Sequence, residues 1–159
     1  KEKALGIKSW NMDEIPKIAE ENGISLDWPD WEDRVYKLWI GNEEVQNRIG
    51  VKPVTISMQY KAMIGNRFAE LKKNFPGKKV IIVAVGHSWE LDCFIQSMLS
   101  ASNARTFEKM GGIINTSEGF KLELEEGEIE KRVGLDKRIA KTLIAKIYYR
   151  GAVMEGRIY

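Results

Sequence analysis

Cysteine and histidine are almost missing from this chain, which has one of each, Cys93 and His87. A single cysteine excludes an internal disulfide and any multi-cysteine metal site. A single histidine excludes every mechanism that needs two imidazoles from the same chain. Charge of one sign is also missing: the formal net charge is +2, with no Lys/Arg run long enough for a polybasic arm, so nothing points to nucleic acid. The longest apolar run, Val80 to Val85, is the size of a β-strand and far short of the roughly 20 residues that cross a bilayer. The first ten residues, which begin with Lys1 rather than Met, do not read as a signal peptide. No Ser/Gly-rich linker, internal repeat, Walker A or G-x-G-x-x-G sequence is present. With 43% apolar and 30% charged residues the composition is that of a folded protein, not a disordered one. Residues 1–159 therefore read as a single domain, placed in the cytoplasm, and the non-Met start is compatible with an N-terminal strand segment having been left out.

What is there divides into helices and strands. Asn11 or Asp13 can cap a short helix that takes Pro16 in its first turn and ends at Gly23. In "DWPDWEDRVYKLWIG", Asp30 is the natural N-cap, Trp31, Val35, Leu38 and Trp39 share a face, and Gly41 is the stop. "VKPVTIS" reads as ambiguous or loop. From about Met58 to Asn74, Ile64, Phe68, Leu71 and Phe75 recur at helical spacing. "VIIVAV" is a continuous β-branched run of the kind buried on both faces of a parallel sheet. Beyond Gly86-His87-Ser88, Leu91, Phe94, Ile95 and Met98 predict another helix. Phe120, Leu122 and Leu124 alternate with charged residues, as in a half-exposed strand. Glu126-Gly127 reads as a turn, after which "EIEKRV" pairs back as a hairpin. Leu135, Ile139, Leu143 and Ile147 place a last helix over about 135–149, and the tail after Gly151 is unassigned. The expected architecture is α/β: a three-layer sandwich with a largely parallel central sheet, an antiparallel edge strand or hairpin, and helices on both faces.

His87 draws attention because it follows an apolar strand and opens a helix. Ligands of open α/β sheets gather at the carboxyl ends of strands, and the first-turn N–H groups of a helix favour an anion. A histidine there can donate to a phosphate or carboxylate. "GHSWE" also approaches the G-x-S-x-G turn of α/β-hydrolases, with Ser88 as nucleophile. That esterase reading is remote: Glu90 replaces the final glycine, and no histidine follows Ser88 to act as its base. His87 and Cys93 are six apart and have no ligand at helical spacing, so no metal site is assigned. Cys93 reads as a small packed residue. Trp28, Trp31 and Trp39 either line a pocket or pack the early helix, and packing is the preferred reading. Trp89 can border the His87 pocket. Arg67 reads as a surface partner of Glu70, and "ELEEGEIEKR" as a solvated hairpin face.

The order "NRFAELKKNFPGKKVIIVAVGHSWELDCFIQSML", followed by "MGGIINTSEGFKLELEEGEIE", resembles the C-terminal half of the histidine phosphatase superfamily, the phosphoglycerate mutase-like fold. The resemblance covers about Ile64 to Ile129. In that family a first histidine, in an Arg-His-Gly motif, is phosphorylated, and a second, at a V-G-H step, binds the phosphoryl group. The resemblance implies the second role for His87, with Gly86 and Ser88 shaping the turn. It implies a phosphoester hydrolase or phosphomutase acting on a small phosphorylated molecule or phosphopeptide with no cofactor. The alternative is an inactive phosphate-ester-binding or scaffold protein of the same fold. No Arg-His-Gly and no R-A-x-x-T-A segment occurs here, and "VTISMQYK" offers no acid where the family places a proton donor.

Overall fold

The computed structural model describes residues 10–77, 88–99, 110–115, 118–133 and 136–158, with the backbone alone described at 129–133 and 136–141. Among these residues there are five helices and one three-stranded antiparallel sheet.

Helix α1 (Glu14–Glu21) buries Ile15, Ile18 and Ala19, carries Pro16 in its first turn, and is closed by Gly23 at φ +67°. Helix α2 (Trp31–Gly41) buries Val35, Tyr36 and Trp39. Its N-cap is Asp30, as expected, but the Asp30 carboxylate accepts from Arg34 at 2.9 Å and makes no bond to the helix backbone. Helix α3 (Glu43–Ile49) is capped by Asn42, whose Oδ1 accepts from the Glu44 and Val45 amides, and ends at Gly50 with φ +82°. Arg48 of α3 reaches Glu14 at 2.8 Å and Glu21 at 2.5 Å, tying α3 to α1. Helix α4 (Pro53–Asn74) starts earlier than the expected Met58. Pro53 in its first turn lacks only an N–H that no helix would use there, so "VKPVTIS" starts the helix instead of forming a loop.

Helix α5 (Ser88–Met98) has the densest burial: Trp89, Asp92, Cys93, Phe94, Ile95, Gln96 and Met98 are all buried. Trp39 stacks on Trp89 with ring centroids 5.5 Å apart, and Trp10 and Tyr36 close around both at 5.1–5.7 Å. The indole N–H of Trp39 donates to the Val51 carbonyl at 2.9 Å, so this large ring is buried without stranding its polar atom.

The sheet overturns the expected architecture. Strands β1 (Lys121–Val133), β2 (Asp136–Tyr149) and β3 (Ala152–Ile158) pair in sequence order, each antiparallel to the next. There is no parallel central sheet among the described residues, so the three-layer sandwich is incorrect. Residues 80–85, which the sandwich would need at its centre, lie outside the described residues. Two local expectations fail for identifiable reasons. The four-residue recurrence of Ile139, Leu143 and Ile147 predicts a helix over 135–149, where the structure has strand β2. Four is also twice the strand period, and Ala145, Ile147 and Tyr149 are buried while Lys146 between them is exposed. Glu126-Gly127 predicts a turn, but Gly127 lies within β1 opposite Thr142. A Cβ on Gly127 would fall 2.4 Å from Ile144 Cδ1, so the glycine makes room for a cross-strand side chain. The chain does turn at Arg150-Gly151, between the paired Tyr149 and Ala152. Both residues have positive φ, +47° and +76°, as a two-residue type I′ hairpin requires.

Among the described residues, helices and sheet meet through the Lys72–Glu126 ion pair at 2.5 Å and through two packed contacts. Gly156 of β3 lies where a Cβ would be 2.9 Å from the Met98 carbonyl oxygen, so the end of α5 rests directly on the strand. Phe120, just ahead of β1, packs against Phe94 with centroids 6.2 Å apart.

Candidate functional site at helix α5

Helix α5 begins at Ser88, the residue after His87, so the Gly-His-Ser step leads straight into a helix. Gly86 and His87 lie outside the described residues. Ser88 is half-buried at the helix start. Glu90, in the same first turn, accepts a hydrogen bond from the Tyr60 hydroxyl at 2.7 Å. Trp89 is 3% exposed and belongs to the aromatic cluster described above. Trp39 is buried in that cluster, Trp31 is half-buried, and Trp28 is 41% exposed beneath the Arg34 guanidinium, 4.7 Å away. Arg67 pairs with Glu70 at 2.5 Å, as the sequence suggests. Cys93 is buried 3.6 Å from the Tyr36 hydroxyl, and burial pushes its thiol well above the usual range, so it is a packed, unreactive thiol.

Further along α5 is a feature that sequence reasoning missed. Ser88, Asp92 and Gln96 are spaced by four and form one stripe of the helix, of which Asp92 and Gln96 are fully buried. Gln96 donates to the Tyr36 hydroxyl at 2.9 Å, while its own carbonyl oxygen has no partner among the described residues. Asp92 receives the Ile114 amide on both oxygens, at 3.2 Å each. The neighbouring Ile113 amide donates to Asp33 of α2 at 3.1 Å. Two successive amides of the segment 110–115 thus point at two carboxylates.

The carbonyl side of that segment is held by Arg150. Its guanidinium donates to the carbonyls of Met110, Gly111 and Ile113, the last at 3.0 Å, and pairs with Glu118 at 2.6 and 3.0 Å. Gly111 and Gly112 have φ +80° and +90°. A Cβ on Gly112 would lie 2.6 Å from an Asp33 oxygen, so only glycine permits this approach. The hydrogen bond from Arg150 holds the Glu118 carboxyl down at about 2. Asp92 goes the other way: burial pushes its carboxyl up to about 7, against the Ile114 amide, which favours the ionised form. Asp33 and Glu118 add like-charge repulsion and Arg150 a counteracting attraction. An acid flanked on both sides by apolar residues, as in "WELDCFIQ", was the available signal for this site.

Among the described residues no group of three or more His, Cys, Asp and Glu is arranged to hold a metal ion, and no helix is long and apolar enough to cross a membrane. Comparison with protein-family models, curated proteins and solved structures gives no match to this chain.

Proposed function

We propose that this chain binds a phosphate ester through the Gly86-His87-Ser88 step, in the manner of a histidine-phosphatase-like protein that lacks its own nucleophile. The observation that carries this reading is the start of α5 at Ser88, the residue that follows the lone histidine in the sequence. Free amides and the helix dipole favour an anion there, and an imidazole adds a directed donor. Glu90 would oppose an anion in the first turn, but its carboxylate is engaged by Tyr60. The ligand class is a small phosphorylated molecule or a phosphopeptide, and binding calls for no metal or organic cofactor. A reducing, cytoplasmic setting suits a chain whose one cysteine is a packed thiol.

Phosphoryl transfer of this type needs a second histidine as nucleophile, and these 159 residues hold only one. The expected outcome is binding without turnover. Titration with inorganic phosphate and with phosphoserine should give saturable binding that His87→Ala weakens about tenfold or more, the loss of a charge-assisted hydrogen bond. No hydrolysis of p-nitrophenyl phosphate should accompany it. Phosphate binding indifferent to His87 would end the reading. Hydrolysis abolished by His87→Ala would replace a binding protein with an enzyme.

A further inference from the structure

Asp92 is completely enclosed, and its two oxygens share one hydrogen-bond donor among the described residues, the Ile114 amide. The groups around it are unbalanced in charge. Asp33 and Tyr36 face it from α2, Cys93 from its own helix, Glu118 from the approach to β1, and Tyr149 and Arg150 from the end of β2. Arg150, the cation of this set, is engaged by Glu118 through both carboxylate oxygens. Among the described residues, three carboxylates and one guanidinium therefore share the space around the segment 110–115. An ionised Asp92 would be shut off from solvent beside a cation already committed to another carboxylate.

We propose that the segment 110–115 is a pH-sensitive latch, docked on α2 and α5 while Asp92 is protonated and released when Asp92 ionises. Lifting the segment exposes the Asp92 oxygens to water, where a carboxyl releases its proton in the ordinary acid range. Docked, the same carboxyl keeps its proton toward neutrality, so protons favour the docked form. Gly111 and Gly112, whose positive φ shapes the docked path, are the flexible points about which it can leave. The segment leads toward β1, so its release loosens the join between sheet and helices. This inference is independent of phosphate binding at His87.

The test uses the full chain. The Asp92 carboxyl is followed by carbon NMR, and the Ile113 and Ile114 amides by hydrogen exchange corrected for intrinsic rate, from about pH 5.5 to about pH 8.5. Asp92 should titrate near neutrality, and Ile114 protection should fall by up to about tenfold per pH unit as pH rises toward that midpoint, then level off above it. Asp33→Asn, which removes a neighbouring negative charge, should lower the Asp92 midpoint and stabilise the docked form at high pH. Asp92→Asn should make Ile114 protection independent of pH. Titration of Asp92 in the ordinary carboxylate range, or Ile114 protection unchanged across the range, would overturn the latch. Both of those measurements are made on the unmodified protein, so the latch can be overturned even if a variant fails to fold.

Discussion

At Asp92 the pH dependence of stability runs against the usual acid-denaturation pattern. The folded carboxyl titrates at about 7 and the unfolded one near an ordinary aspartate value. Below both values it is protonated in either state. Between them the folded chain binds a proton that the unfolded chain has released, so stability is lost as pH rises through this window. The slope is about 1.4 kcal/mol per pH unit at most. Glu118 has the opposite sign: its lowered value gives stability present at neutral pH and lost as pH falls toward 2, but its partial exposure makes that contribution small. Urea titrations at about pH 5 and pH 8 should show the wild-type chain weaker at the higher pH, with the difference largely removed in Asp92→Asn. Equal stability of the wild-type chain at both values would count against the buried acid. Gly112→Ala is the second residue-scale prediction. A φ of +90° and an Asp33 oxygen 2.6 Å from the new Cβ should together cost about 2–3 kcal/mol. Asp33→Ala in the same chain should return the steric part and leave the backbone part, as separate denaturation curves would show. Residue by residue, the sequence disclosed what depends on near neighbours, such as Arg67 with Glu70. Asp92 stayed hidden because its environment comes from α2, the segment 110–115 and Arg150, all far away along the chain.

Among the elements, α1 and α2 were legible because capping residues, apolar spacing and stop glycines agree at the same positions. The start of α4 was misplaced because Pro53 suits both a loop and a first helical turn. The sheet was the largest loss. A four-residue recurrence satisfies helix and strand alike, and Gly127 imitates a turn signal when its real reason is the volume of Ile144. That account predicts coupling between the two positions. Gly127→Ala pushes a methyl to within 2.7 Å of Ile144 Cγ1 and should destabilise the hairpin by about 1–2 kcal/mol. Ile144 Cδ1 can swing aside, which keeps the cost modest. In an Ile144→Ala background the same substitution should cost little, giving a coupling energy of about 1 kcal/mol in a double-mutant cycle. Equal costs in both backgrounds would mean that Gly127 is needed for backbone reasons instead.

For the whole molecule, the decisive joint is Arg150. It is both a hairpin residue at φ +47° and the clamp that holds the 110–115 carbonyls. These roles can be separated by substitution. Arg150→Gly relieves the positive φ and favours the type I′ turn, a gain under about 1 kcal/mol. It also deletes the ion pair with Glu118 and every bond to the segment. Charge-assisted hydrogen bonds contribute about 1.5–3 kcal/mol each when buried, and the guanidinium is 27% exposed, so a net loss of about 2–3 kcal/mol is expected despite the better turn. The consequence should be loss of cooperativity as well as stability. All five tryptophans lie between Trp10 and Trp89, in and around the helices, so their fluorescence reports the helical part, while far-ultraviolet circular dichroism also sees the sheet. In the wild-type chain the two signals should change together in urea, because Phe94 on Phe120, Met98 on Gly156 and the Arg150 clamp bind helices to sheet. In Arg150→Gly the two transitions should separate and the slope of each should fall, since each half then exposes less surface on unfolding. Coincident transitions at an unshifted midpoint would show that the packing of Met98 and Phe94 joins the two parts without the clamp.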